Sequence, residues 1–305
     1  MYGKIISNLD EKQKLLWGNQ PVSLQHNLIG TDLFSDKNIA QLIENLPRER
    51  VAINTMAPSG HKADSWSYVD RAGKSGQEII DDVKSGQLWI NITQIETLDP
   101  RFSDLLEQIY LELEKDLPDF KTFKRSIGLL VSSPKAQVFY HADVPGQSLW
   151  QIRGKKRILI YPNSKPFLLP NEIENVVRAV TEEEITYEDW FDEYAEVHDL
   201  EGGMMLHWQL NRPHRVMNLE GMNVSLTTEH WTPEIRRNYA MNYGNGLLRN
   251  FGFKPRSRAI EGPAFWAKVG LTAAWRTSGM HKRKAFKRSV NLSLKELNDR
   301  NFAAE

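Results

Sequence analysis

Residues 132–162 run SSPKAQVFYHADVPGQSLWQIRGKKRILIYP, and no other part of the chain says as much about its architecture. The stretch breaks into three extended runs, AQVFYHAD, LWQIRG and KRILIYP, rich in β-branched and aromatic residues and separated by turns. Side chains two apart on a strand point to one face, so His141 and Asp143 can reach a single ion together. A third donor must come from elsewhere, and His214 lies in RPHRVMN, at the start of another extended segment. Two imidazoles and one carboxylate on one face of an octahedral ion leave three positions open for other ligands. Residue type alone does not select the metal, because Zn2+ tolerates the same donors. A His-x-Asp pair on a strand also arises by chance, and a lone His is more often structural than ligating. The surrounding pattern has to discriminate.

On either side the strand rhythm continues. From about residue 125 the chain reads SIGLLVS, AQVFYHAD, LWQIRG, KRILIYP, GMMLHW, HRVMN and MNVSLTTEHW. Short strands at this spacing predict an antiparallel sandwich or barrel rather than βαβ units. The acidic insert TEEEITYEDWFDEYAEVHD interrupts them and is expected to be helical in part. Upstream, Ile39, Leu42, Ile43 and Leu46 fall at helical spacing after Ser35 and stop at Pro47. A second helix is predicted over FSDLLEQIYLELEKDL, with Phe102, Leu105, Leu106, Ile109, Tyr110 and Leu113 on one side. QEIIDDVKSG reads as a short helix, LWINI as a strand, and the polar, Gly/Ser-rich residues 52–75 as a long loop. After Trp231 the strands stop, GPAFWAKVGLTAAWRTSG suggests an amphipathic helix, and Ser293-x-x-Glu296 is a candidate capping box. The expected organisation is one domain over residues 1–231, with a strand core over about 88–231 and a helical N-terminal flank, followed by a basic, mostly helical extension over 232–305.

Composition narrows the chemistry. The chain has 305 residues, 40% hydrophobic and 26% charged, and no Cys, so disulfides, thiolate metal sites and Cys nucleophiles are excluded. Any metal must be held by His, Asp or Glu. The first residues lack the basic start and apolar core of a signal peptide, and no apolar run approaches the roughly 18 residues that a membrane span needs. A cytoplasmic chain, or one peripheral to a membrane, is expected. The net charge of zero hides an asymmetry: residues 232–305 hold 15 Lys/Arg against 5 Asp/Glu, leaving 24 against 34 in residues 1–231. Such a tail could meet an anionic surface or dock on the acidic body.

The same stretch closely resembles the metal-binding segment of the JmjC and cupin-like 2-oxoglutarate oxygenases. That family has a His-x-Asp, then a Gln-Ile-x-Gly turn, a Lys on the next strand and an aromatic-Pro stop. Here these are His141-Ala142-Asp143, Gln151-Ile152-Arg153-Gly154, Lys156 and Tyr161-Pro162. Residues 199–231, DLEGGMMLHWQLNRPHRVMNLEGMNVSLTTEHW, resemble the family's segment around its third ligand. Gly202-Gly203 stands where the family has Gly-Asp, and Arg212-Pro213 where an aromatic pair often precedes the ligand. The resemblance spans roughly residues 88–231. It implies a mainly β chain with flanking helices around a double-stranded β-helix (jelly-roll, cupin-like) core. Fe(II) would be held by His141, Asp143 and His214, with 2-oxoglutarate as co-substrate.

Lys156 stands where family members that hydroxylate protein side chains place the Lys for the 2-oxoglutarate tail. Physical chemistry agrees, since a carboxylate buried without a cation is costly. Gln147, Thr228, Thr227 and Ser225 are further candidates for co-substrate hydrogen bonds, and Tyr110 and Trp150 are aromatic candidates near the site. The implied activity is hydroxylation of a C–H bond with succinate and CO2 as co-products. A small-molecule or sugar substrate, such as a lipopolysaccharide inner-core sugar, is expected first. A protein side-chain hydroxylase or demethylase and a non-catalytic cupin-like module are the alternatives. The tail could contact an anionic surface or support a homo-oligomer, and no nucleic-acid-binding motif is found.

Overall fold

The computed structural model describes residues 3–7, 9–56, 66–86, 88–181, 185–279 and 290–293. Two long strands, β7 (Gly146–Ile160) and β10 (His214–Trp231), pair antiparallel from Gly146 opposite His230 to Ile160 opposite His214. Each passes from one layer of a jelly roll into the other. In the larger layer the first part of β7 pairs with β9 (Met204–His207), and the end of β10 pairs with β5 (Phe123–Ser132). In the smaller layer the end of β7 pairs with β8 (Glu196–Glu201), and the start of β10 with β6 (Gln137–His141). The larger layer is completed by β1 (Val22–Gln25) on one side, and by β4 (Leu88–Ile92), β2 (Val51–Met56), β3 (Trp66–Asp70) and β11 (Val290–Ser293) on the other.

The passage between layers needs a bend, and Gly154 supplies it in β7. Its φ is +78°, and a Cβ there would stand 2.7 Å from Asn223 Cγ. Only Gly meets both conditions without strain. Opposite this bend the pairing shifts register between Asn218 and Val224. The bend also changes which positions face inward: Gln147 and Leu149 line the interior before it, Lys156 after it.

Elsewhere the period of two holds. Ser126, Gly128 and Leu130 of β5 face the interior cavity. Ile127, Leu129 and Val131 are fully buried on the other face. There they pack against α2 (Asp36–Asn45), α3 (Gly76–Ser85) and α4 (Pro100–Asp116) through Ile39, Ile43, Ile79, Ile80, Phe102, Leu105 and Ile109. Each such burial is worth about 1.5–3 kcal/mol, against roughly 0–1 for the exposed ion pairs on these helices, so the apolar stripe holds them in place.

Several expectations are corrected. Residues 52–75 are not one loop, because β2 and β3 take up much of the segment as extra strands beside β4. LWQIRG and KRILIYP join into β7, and HRVMN and MNVSLTTEHW into β10, because the bulged bends keep the backbone pairing continuous. The acidic insert holds a 3-10 turn at Asp189–Tyr194 and then β8. Three helices went unpredicted, α1 (Glu11–Leu16), α5 (Pro170–Val177) and α6 (Pro233–Asn250). The predicted C-terminal helix is α7 (Pro263–Thr277). It packs on α6, with Phe265 buried and Trp266 exposed. The basic HKRK and KR run and Glu296 of the candidate Ser293-x-x-Glu296 cap lie outside the described residues, and Ser293 ends β11. No helix among the described residues is long and apolar enough to cross a membrane.

The C-terminal helices pack on the side of the smaller layer that faces away from the cavity. Tyr243 and Leu247 of α6 sit with Tyr140, Leu159, Tyr161 and Phe167 in one cluster. Beside it the Glu174 carboxylate, 1% exposed, meets Arg249 at 2.5 Å and Arg258 at 3.4 Å. Leu247→Ala should therefore destabilise the whole strand core by about 2–5 kcal/mol in urea unfolding. An unchanged midpoint would mean that α6 is energetically separate from it.

Candidate metal centre

The interior of the jelly roll holds a cavity of about 350 Å3 whose walls include His141, Asp143 and His214. His141 closes β6, His214 opens β10, and the two are directly paired across the strands. Cross-strand partners on one face bring their side chains together, and the two rings lie 4.1 Å apart between centroids. Asp143 follows just past the end of β6, and its Oδ2 is 3.4 Å from His214 Nε2. One donor atom from each of the three lies within 4.8 Å of those of the other two. All three residues are buried, at 9%, 6% and 2% exposure for His141, Asp143 and His214.

The hydrogen bonds fix the chemistry of the imidazoles. His141 Nδ1 meets the Phe139 carbonyl at 2.7 Å, and His214 Nδ1 meets the Arg212 carbonyl at 3.0 Å. A carbonyl only accepts, so Nδ1 carries the proton on both rings and each Nε2 presents a lone pair. Burial, and then the neighbouring His141, hold His214 well below the usual imidazole range and so keep it neutral. Two neutral Nε2 donors and a carboxylate facing one point are a fitting set for a divalent cation. Their 2-His-1-carboxylate character matches the facial arrangement that suits non-haem Fe(II), and the residues present fit that ion.

A smaller void of about 20 Å3 continues from the cavity, sharing Trp89, Leu130, Val138, Leu149 and Val216 as walls and adding Lys156, Ser132, Ala136 and Asn218. Lys156 is 3% exposed, opposite Asn218 in the β7–β10 register. Burial alone pushes its ammonium down to about 7, and no carboxylate offsets that burial. Asn218 Nδ2 donates to Ser132 Oγ at 2.8 Å and to the Ser133 carbonyl at 2.7 Å. Ser132 Oγ thus accepts from Asn218 and keeps its own proton to donate.

Gln147 and Thr227 line the main cavity. Thr228 does not, and here the expectation is corrected. Thr228 faces the helix side of the sheet, where its Oγ1 accepts from Trp150 Nε1 at 3.0 Å. The alternation of β10 gives the cavity to Thr227 and Glu229 instead. Ser225 is bound to Gln151 Oε1 at 2.7 Å. Tyr110 and Trp150 are core residues on that same helix side, the Tyr110 hydroxyl lying 3.2 Å from His230 Nδ1. Sequence reasoning missed Ser132, Asn218 and the polar wall of Arg50, Asn54, Asn91 and Gln94. The polar residue of each strand on the inward parity was the available signal for Ser132 and Asn91.

The depressed Lys156 ammonium has a consequence for stability. Its folded pKa, about 7, lies below its free value of 10.5. Between these two values the unfolded chain keeps a proton that the folded chain has released, so stability rises with pH across that window. Below about 7 the cost of the buried charge is complete. In thermal unfolding without ligand, Lys156→Met should therefore be more stable than the parent chain at pH 6. The gap should narrow towards pH 10, and a gap that does not depend on pH would place the ammonium in contact with water.

No protein-family model matches the sequence, and no curated protein matches it. Solved structures do match. The X-ray structure of Escherichia coli YcfD superposes with a TM-score of 0.52 at 17% identity, covering 89% of this chain and 68% of that one. The structure of YcfD described as a ribosomal oxygenase in complex with cobalt and 2-oxoglutarate gives a TM-score of 0.50, at 17% identity over 90% of this chain and 69% of that one. Both structures are of a ribosomal oxygenase, and that finding overturns the expectation of a small-molecule or sugar partner. The chain therefore has the jelly-roll fold of the oxygenase YcfD, as the JmjC and cupin-like resemblance implied, and carries a His-Asp-His cluster inside it.

Proposed function

We propose that the chain is an Fe(II)- and 2-oxoglutarate-dependent oxygenase that hydroxylates a side chain of a protein substrate. The observation that carries this reading is the pairing of two features in one cavity. A neutral-imidazole and carboxylate trio lies on its wall, and a buried ammonium sits at its closed end. The fold shared with a ribosomal oxygenase solved with cobalt and 2-oxoglutarate supports it, and favours a protein over a sugar as substrate.

In this reading His141, Asp143 and His214 hold Fe(II) through two Nε2 atoms and a carboxylate oxygen. When bound, Fe(II) supplies the redox chemistry by which 2-oxoglutarate and O2 become succinate and CO2 while one oxygen atom enters a substrate C–H bond. The chain itself binds, orients and excludes water. Lys156 and the Ser132 hydroxyl take the distal carboxylate of 2-oxoglutarate, and the ammonium gains the counter-charge that it lacks. The apolar walls Leu130, Val138, Leu149 and Val216 keep water from the path between that end and the trio. Gln94 lines the same cavity and is exposed, so a side chain carried on a polypeptide can enter from there.

The purified chain should release succinate from 2-oxoglutarate only with Fe(II), and His141→Ala or Asp143→Ala should abolish this. Lys156→Ala should raise the 2-oxoglutarate concentration required by roughly 10- to 100-fold, the worth of a charged hydrogen bond, while Fe(II) still binds. Absence of both succinate and Fe(II)-dependent 2-oxoglutarate binding would refute the oxygenase reading. In the parent chain the affinity for 2-oxoglutarate should also weaken as pH rises above about 7, where the Lys156 proton is lost. Calorimetric titrations at about pH 6 and about pH 8.5, on either side of the Lys156 value of about 7, should differ for the parent and agree for Lys156→Met.

A further inference from the structure

The two arms that carry the trio come from separate parts of the chain, and one short turn touches both. Asp143 lies beyond the last paired residue of β6, so sheet pairing no longer holds its backbone. Its carbonyl accepts a 2.6 Å hydrogen bond from Asn211 Nδ2, 68 residues away. Asn211 is 8% exposed and has a φ of +56°, a left-handed conformation that Asn tolerates better than other non-Gly residues. The next residue, Arg212, offers the carbonyl that takes His214 Nδ1 at 3.0 Å.

The turn is itself held firmly. Arg212 Nε donates to the Tyr161 carbonyl at 2.7 Å, its Nη1 to Gln209 Oε1 at 2.8 Å, and its Nη2 is paired with Glu196. Tyr161 N donates to the Pro213 carbonyl at 2.9 Å, and Asn163 Nδ2 to the Leu210 carbonyl at 2.9 Å. The end of β7 and the residues after it therefore fix the turn, and the turn in turn fixes a ligand on each side. Arg212-Pro213, a departure from the pattern of the resembling family, belongs to this same brace.

We propose that Asn211 is a positioning residue whose carboxamide sets the Asp143 carboxylate against the two imidazoles, making the turn a brace that couples both ligand arms. This rests on the metal-site reading of the trio. Two substitutions separate the carboxamide from the backbone. Asn211→Gly relieves the left-handed conformation and removes the donor, whereas Asn211→Asp keeps the size and replaces the donor by an acceptor.

The experiment is titration of the full chain with Co(II), followed by its visible absorption, alongside thermal unfolding in chelator. The brace predicts Co(II) binding about 10- to 100-fold weaker in both variants, the usual worth of a partner that orients a metal ligand. It also predicts an altered Co(II) spectrum, with metal-free Asn211→Gly unfolding close to the parent. Asn211→Gly binding Co(II) as tightly as the parent, while Asp143→Ala loses it, overturns the brace and leaves the oxygenase reading standing. A parent chain that does not bind Co(II) overturns both. Should Asn211→Gly fail to fold, Asn211→Asp is read in the same way.

Discussion

The pairing of β7 with β10 is the constraint from which the rest follows. These strands run together through both layers, so one backbone ladder sets the position of His214 beside His141 and of Lys156 beside Asn218. The two imidazoles and the ammonium are thereby fixed at two levels of one cavity by hydrogen bonds that belong to the sheet, not by side-chain contacts alone. A bend at Gly154 lets the ladder continue while the inward parity changes. Without the bend Lys156 would fall on the outward face, the one now taken by its neighbours Lys155 and Arg157, which pair with Glu201 and Asp199 on β8.

Around this ladder the molecule separates rigid support from chemistry. The helix-facing side of the larger layer is apolar and closed, with α2, α3 and α4 stacked on it. The inward side is polar, and its groups are arranged by one another. Asn218 orients Ser132, two carbonyls orient the imidazoles, and Asn211 reaches the Asp143 carbonyl. Buried polar groups of this kind are costly when unsatisfied. Lys156 is a buried cation whose burial no neighbouring charge offsets, which is why an anionic ligand is the natural complement of that end of the cavity.

The smaller layer depends on the C-terminal helices. Tyr140 and Ala142 lie on either side of His141 in sequence and belong to the cluster that includes Tyr243 and Leu247 of α6. Tyr161, which anchors the turn before His214, is in the same cluster, and its hydroxyl donates to Asp192 at 2.5 Å. Helices far from the cavity in sequence therefore bear on the segments that hold the ligands.

Much of the site was legible in the residues. The His-x-Asp spacing, the later His214 and the Lys between two flanking cations are local patterns, and strand periodicity turns each of them into a direction. Helices α2, α3 and α4 were legible for the same reason, because a stripe at helical spacing buries only when it is helical. What could not be read there depends on partners distant in sequence. β2 and β3 have too little alternation to declare themselves and become strands by adding to β4. Whether Thr227 or Thr228 faces the cavity is a question of parity, which bulges in β10 shift by one residue and which sequence does not count. The ligand types and their spacing were thus set by the chain's local chemistry. Their convergence, the closed end formed by Ser132, Lys156 and Asn218, and the brace at Asn211 come from long-range strand register, which exists only once the sheet has formed.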